Sequence, residues 1–299
     1  MPLQRYCFFL FLLVFISCKQ PVNPDAAKQD WEQLFNGKDL TGWDIKIAGH
    51  DLNDNFNDNF SVKDGAIKVD YSKFKKFDNA FGHLYYKKPF SYYIIRTEYR
   101  FTGQQLEGGP SYAYLNSGVM LHSQSAASVT KNQWFPVSLE LQLLASDEKE
   151  KRHNGNLCTP GTEVSMHNEP VAAHCIDSKS KNSFLNEWVT AEAIVYGDSL
   201  IHHLINGDTV LTYEKTKVGG GFVNSGMTWT SGGFAADSLD WIKKDGTPLR
   251  SGFIALQAES HPVEFRKVEL LNLEGCMDPK ATNYKTYFVK ADNTQCRYK

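Results

Sequence analysis

The chain predicts an all-β fold, a β-sandwich assembled from many short strands. Three observations carry this expectation. Residues 137–144 read V-S-L-E-L-Q-L-L, so Leu139, Leu141 and Leu143 point one way while Ser138, Glu140 and Gln142 point the other. Strict period-two alternation marks a strand with one buried face. Similar short runs recur along the chain between Gly, Asn and Asp turns, and helical periodicity is scarce, a spacing that belongs to sandwiches. Finally, Gly197-Asp198 and Asn206-Gly207 separate three apolar runs, as tight antiparallel hairpins do.

The amino terminus reads as an export segment. Arg5 precedes an apolar run over residues 7–16 that is too short to span a bilayer. The run ends at Ser17-Cys18, a pattern similar to a bacterial lipoprotein signal. Residues 1–17 are then the signal peptide, and Cys18 is the lipidated first residue, with a membrane as the partner of its lipid. The expected location is the periplasm or outer membrane of a Gram-negative bacterium. Residues 18–30, with Pro21 and Pro24, read as a tether. The main domain is expected over 31–273, and a small cysteine-bounded module over 274–299.

Export permits disulfides. Once Cys7 leaves with the signal and Cys18 is assigned to lipid, Cys158, Cys175, Cys276 and Cys296 remain. Sequence proximity favours Cys158–Cys175 and Cys276–Cys296. Each closes a loop of roughly twenty residues, worth about 3 kcal/mol in the chain-entropy view.

The strand-like runs cover 60–69, 92–101, 117–123, 137–144, 189–196, 200–205, 209–213, 252–258 and 263–271. Two segments interrupt them. Residues 145–187 form a long connection carrying His153, His167 and His174, whose spacing fits no common metal site. Residues 214–250, rich in Gly, Ser and Thr, read as a second irregular excursion.

Composition narrows the partners. A net charge of -2 gives no reason to propose nucleic acid. An aromatic content of 13% in a near-neutral chain suits sugar binding, since sugar rings stack on aromatic faces. The polar face of the 137–144 strand carries a carboxylate and an amide, as a hydroxyl-rich ligand requires. Other strands repeat the alternation. If they share one sheet, Glu98, His122, Glu140, Gln142, Gln257 and Glu259 converge on one face. Clustered acids raise one another's pKa and so supply both a base and an acid.

Several established chemistries are excluded. The E-x-D-x-x-E strand of retaining glucanases is absent, because Leu144 and Ala145 follow Glu140-Leu141-Gln142-Leu143. No G-x-S-x-G elbow, H-E-x-x-H pair or P-loop occurs. Asp51-Leu52-Asn53-Asp54-Asn55 lacks the later residues of an EF-hand and reads as an Asx-rich turn. No cofactor is implied; calcium or another divalent ion is a minority reading at that turn.

Leu34-Phe35-Asn36-Gly37-Lys38-Asp39-Leu40-Thr41-Gly42-Trp43 resembles the opening signature of the 3-keto-disaccharide hydrolase domain family. Asn116-Ser117-Gly118-Val119, Glu140-Leu141-Gln142 and His261-Pro262-Val263-Glu264-Phe265-Arg266 resemble its later motifs, over roughly residues 31–273. His122 and Ala145 depart from the usual pattern. The resemblance implies a concanavalin A-like jelly-roll sandwich and cleavage of glycosidic bonds in oxidised disaccharides or glycosides. A ketone at C3 acidifies the C2 proton, so a base can start elimination of the C1–O bond. The expected base is Glu140, with His122 or Glu259 as acid. Gln142, Gln257, Glu98, Asn116 and His261 are expected to hold the sugar, and Arg266 to pair with a carboxylate. A carbohydrate-binding lipoprotein without catalysis is the alternative, and a purely structural lipoprotein is the third class. The tail from Gly275 to Cys296 resembles a small module common in exported Bacteroidetes proteins. Its Asp278, Asn283 and Asp292 are candidate calcium ligands.

Overall fold

In the computed structural model, residues 27–148, 150–220, 229 and 234–299 are described. Two large antiparallel sheets face each other in the expected concanavalin A-like, jelly-roll sandwich. One has ten strands and the other seven. Between them lies one apolar core fed by alternate residues of both, including Leu139, Leu141 and Leu143 from one sheet and Tyr93, Ile95 and Tyr99 from the other.

The seven-stranded sheet runs Cys175–Ile176, Asn156–Cys158, Leu139–Leu144, Asn116–Ser123, Phe253–Ala258, Gly82–Tyr86 and Trp43–Ile47. The alternation of residues 137–144 is therefore realised at the middle of a sheet. The ten-stranded sheet contains the meander Val189–Tyr196, Leu200–Ile205 and Asp208–Val218. Its tight turns fall where the dipeptides place them. Asn206 and Gly207 both have positive φ, 50° and 87°, the backbone that lets a two-residue loop follow strand twist.

Three segments depart from expectation. The 60–69 run is two strands, Phe60–Lys63 and Ala66–Val69, folded back at Asp64-Gly65. The 145–187 connection is not one loop. Its short strands Thr162–Met166 and Glu169–Pro170 extend the ten-stranded sheet, while Asn156–Cys158 and Cys175–Ile176 extend the other. The 214–250 excursion begins late, because Asp208–Val218 runs on as strand, and it includes the short helix Ser238–Lys243. Cys158 and Cys175 are directly opposite and bonded, and a second disulfide joins Cys276 to Cys296. The tail pairs Glu274–Gly275 with Lys290–Ala291, and its Lys285 reaches Asp30 at 2.7 Å. Cys18 and the export segment lie outside the described residues.

Candidate active site

The outer face of the seven-stranded sheet holds the site. Leu139, Leu141 and Leu143 are committed to the core, so Glu140 and Gln142 project away from it. Glu140 lies opposite Met120 on one neighbouring strand and Cys158 on the other. Its carboxyl leans across Gly118: a Cβ on that glycine would meet Glu140 Oε1 at 2.6 Å and Glu140 Cγ at 2.8 Å. The absent side chain of Gly118 is thus the hollow in which the carboxyl lies.

A pocket of about 290 Å³ opens here. Asn116, Glu140, Gln142 and Glu259 contribute its polar groups. Phe135, Pro160 and the Cys158–Cys175 disulfide contribute apolar surface, His174 adds an imidazole, and Tyr112 stands at the rim. Glu140 and Glu259 are 6% and 3% exposed. Burial pushes both carboxyls well above the usual carboxylate range, and the Glu140 charge raises Glu259 further. Because the Glu140 charge is what raises Glu259 further, the pair gives up its protons one after the other, Glu140 first, and between the two losses it holds a single proton. Tyr112 feels both: burial, Glu259 and Glu140 together raise its hydroxyl to about 12. Asn116 Nδ2 donates to the Tyr112 carbonyl at 3.0 Å, anchoring that rim.

The geometry brings together Glu140, Gln142, Asn116 and Glu259, and it separates the other expected residues. His122 faces the interior of the sandwich. A bulge in the pairing with Phe253–Ala258, with His122 at φ 47°, breaks the alternation. The ring then packs edge-on against Tyr93 and its Nε2 donates to the Gly197 carbonyl at 3.2 Å. Burial lowers its pKa to about 4. Gly252 permits this, since a Cβ there would come within 2.3 Å of the His122 backbone. His122 therefore serves the core and cannot be the acid.

Glu98 belongs to Tyr92–Phe101 of the opposite sheet, where it bonds Arg266 at 2.6 Å. That outer face is a lattice of ion pairs: Arg96 meets Glu192 and Glu269, and Arg100 meets Glu264. Gln257 is on the correct face but is fully buried beside His83, off the pocket wall. His261 packs between the Phe101 and Tyr114 rings at the end of the sandwich. Burial and the Arg152 charge hold its pKa near 4.

Sequence reasoning missed Tyr112, Phe135, Pro160 and His174 as wall residues. Tyr112 lies on the short turn Ser111–Ala113, where no periodicity signals orientation. Among the described residues no group of three or more His, Cys, Asp or Glu is arranged to hold a metal ion. In the 51–55 turn, Asp51 pairs with Lys131 and Asn53 donates to Asp44. In the tail, Asp278 and Asp292 accept local hydrogen bonds, and Asn283 both donates and accepts.

Solved structures resemble the chain at low identity. A Parabacteroides distasonis protein provisionally described as a glycosyl hydrolase is 18% identical, with 81% of this chain and 94% of that chain covered and a TM-score of 0.47. A Bacillus subtilis protein of unknown function with a galectin-like fold is 11% identical over 81% and 94%, with a TM-score of 0.48. The carbohydrate-binding module CBM66 of Bacillus subtilis is 9% identical over 78% and 96%, with a TM-score of 0.42. No curated protein shows significant similarity. The family profile is of a different order, because it spans the sandwich from residue 30 to residue 271 and includes every wall of the pocket. The chain belongs to the 3-keto-alpha-glucoside-1,2-lyase-like domain family.

Proposed function

We propose that the protein cleaves 3-keto-disaccharides or related 3-keto-glycosides by acid/base elimination followed by hydration. The observation that carries this reading is the pair Glu140 and Glu259, one from the strand Leu139–Leu144 and one just past the end of Phe253–Ala258, brought into one pocket and raised together. Such a pair offers one ionised and one protonated carboxyl at the same pH. Glu140 as carboxylate takes the proton from C2, and the electron pair is delocalised onto the C3 oxygen as an enolate. The enolate collapses to expel the C1 oxygen, which takes its proton from Glu259. Water then adds across the C1–C2 double bond. Gln142 and Asn116 supply amides for hydroxyls or the enolate oxygen. Asn116 Oδ1 is buried with no partner among the described residues.

This chemistry needs no second carboxylate placed to attack C1. Export and lipid attachment through Cys18 rest on the amino-terminal pattern alone and put the reaction outside the cytoplasm, where oxidised sugars from outside first arrive. The decisive experiment measures turnover of 3-keto-trehalose and 3-keto-glucosides by wild type and by Glu140→Gln. Loss of a base lowers kcat about 10²–10⁴-fold. Unchanged kcat in the variant rejects Glu140 as base. Sugar binding without product from the wild type would instead make the protein a carbohydrate-binding module.

A further inference from the structure

The pocket has two chemically different sides, and the Glu140 strand divides them. On the side of Gly118 lie Asn116 and Glu259, deeply buried and polar. On the side of Cys158 lie the Cys158–Cys175 disulfide, Pro160 and His174. Cys175 is on an exposed edge strand, so this second side is the mouth. The polar side suits the ring that reacts, and the mouth receives whatever leaves from C1.

We infer that the leaving group is an apolar aglycone, such as an alicyclic or aryl alcohol, in preference to a second sugar. The inference rests on the elimination reading above and adds the identity of the departing half. Disulfide sulfurs are weak acceptors, and proline has no N–H. His174 is kept below the ordinary imidazole range by burial and is uncharged at neutral pH. A second hexose placed there would lay several hydroxyls against a surface whose one side chain able to bond them well is the His174 imidazole, and leaving the others unbonded is unfavourable. A hydrocarbon ring would lose only water. Among the described residues that line the pocket there is no lysine or arginine, so these offer an anionic leaving group no counter-charge either. Gln142, the remaining nearby amide, has its Oε1 within 3.4 Å of Asn156 Nδ2.

The test pairs two leaving alcohols whose difference in acidity favours departure of the sugar, so a preference for the hydrocarbon ring must come from recognition. Cyclohexyl 3-keto-glucoside and a 3-keto-glucosyl-glucose are compared by kcat/KM. Unoxidised cyclohexyl glucoside and the matching disaccharide are compared by titration calorimetry. The cyclohexyl compounds are expected to be favoured about tenfold or more in both, the ratio that burying two methylene groups confers. His174→Asp, and separately Pro160→Ser, are expected to lower that preference, read in each variant as the ratio of the two kcat/KM values and of the two binding constants. Equal or stronger binding and turnover of the disaccharide overturns the aglycone assignment and leaves the lyase reading intact. Cyclohexyl-selective binding without turnover of any 3-keto compound does the reverse: the apolar mouth stands and the enzymatic reading falls. Absence of binding to every compound overturns both.

Discussion

Glu140 is the residue on which stability and chemistry conflict. Its Oε1 is buried without a partner among the described residues, an arrangement that destabilises a fold by about 1–3 kcal/mol. Its folded pKa lies above the ordinary value of 4.5 because burial opposes the charge. Between that value and the raised one, the folded chain holds a proton that the unfolded chain has released. Stability therefore falls as pH rises through the window. Glu140→Gln removes the titrating group and keeps the shape. The variant should melt a few degrees higher than wild type at pH 8, corresponding to about 1–2 kcal/mol, and gain much less at pH 4.5. Calorimetric scans at the two pH values check this. An equal gain at both would mean that the carboxyl is solvated and that its use as a poised base is wrong.

At the scale of elements, Asn116–Ser123 does two jobs at its two ends. Near Gly118 it yields space to the Glu140 carboxyl, and near His122 it bulges and turns a side chain inward. Gly118→Ala should therefore move the Glu140 carboxyl rather than unfold the sheet. We expect kcat on 3-keto-glycosides to fall at least tenfold, with a stability loss of about 1–3 kcal/mol from overpacking. Parallel kinetics and denaturant titration separate the two, and a Gly118→Ala enzyme with wild-type kcat would show that the carboxyl need not lie there. The same strand explains what the sequence made legible. Alternation identified Glu140 and Gln142 as outward residues because their strand is regular. It failed at His122, where one inserted residue inverted the face. It failed differently at Glu98, since alternation states which face a residue takes but not which of two sheets carries it. The pairing of Cys158 with Cys175 was readable from chain distance, whereas its place in the pocket wall depended on edge strands too short to show a period.

The whole molecule stores neutral histidines in its interior. His83, His122, His203 and His261 are each 3% exposed or less, and burial, the first cause in each case, lowers their pKa values to about 3 or 4. In the unfolded chain they titrate near 6.5. From pH 6.5 down to about 4 the unfolded chain therefore binds more protons than the folded one. The stability these groups contribute is complete above pH 6.5 and is lost as pH falls through that window. Glu140 and Glu259 act in the opposite sense, because their raised values make protonation easier in the fold. Four imidazoles against two carboxyls leave the histidines dominant, so unfolding free energy should rise with pH between about 4 and 6.5. Each such histidine contributes at most one proton, a slope of about 1.4 kcal/mol per pH unit. His122→Asn tests both the sum and the location of one member. Urea titrations across this range should show a slope smaller by up to one proton, with overall stability lowered by about 1–3 kcal/mol from the lost bond to Gly197. Turnover at pH 7 should be unchanged, because His122 lies on the core side of the sheet that carries Glu140. A variant with the wild-type slope would mean that the imidazole is charged or exposed, and one with collapsed kcat would return His122 to the pocket.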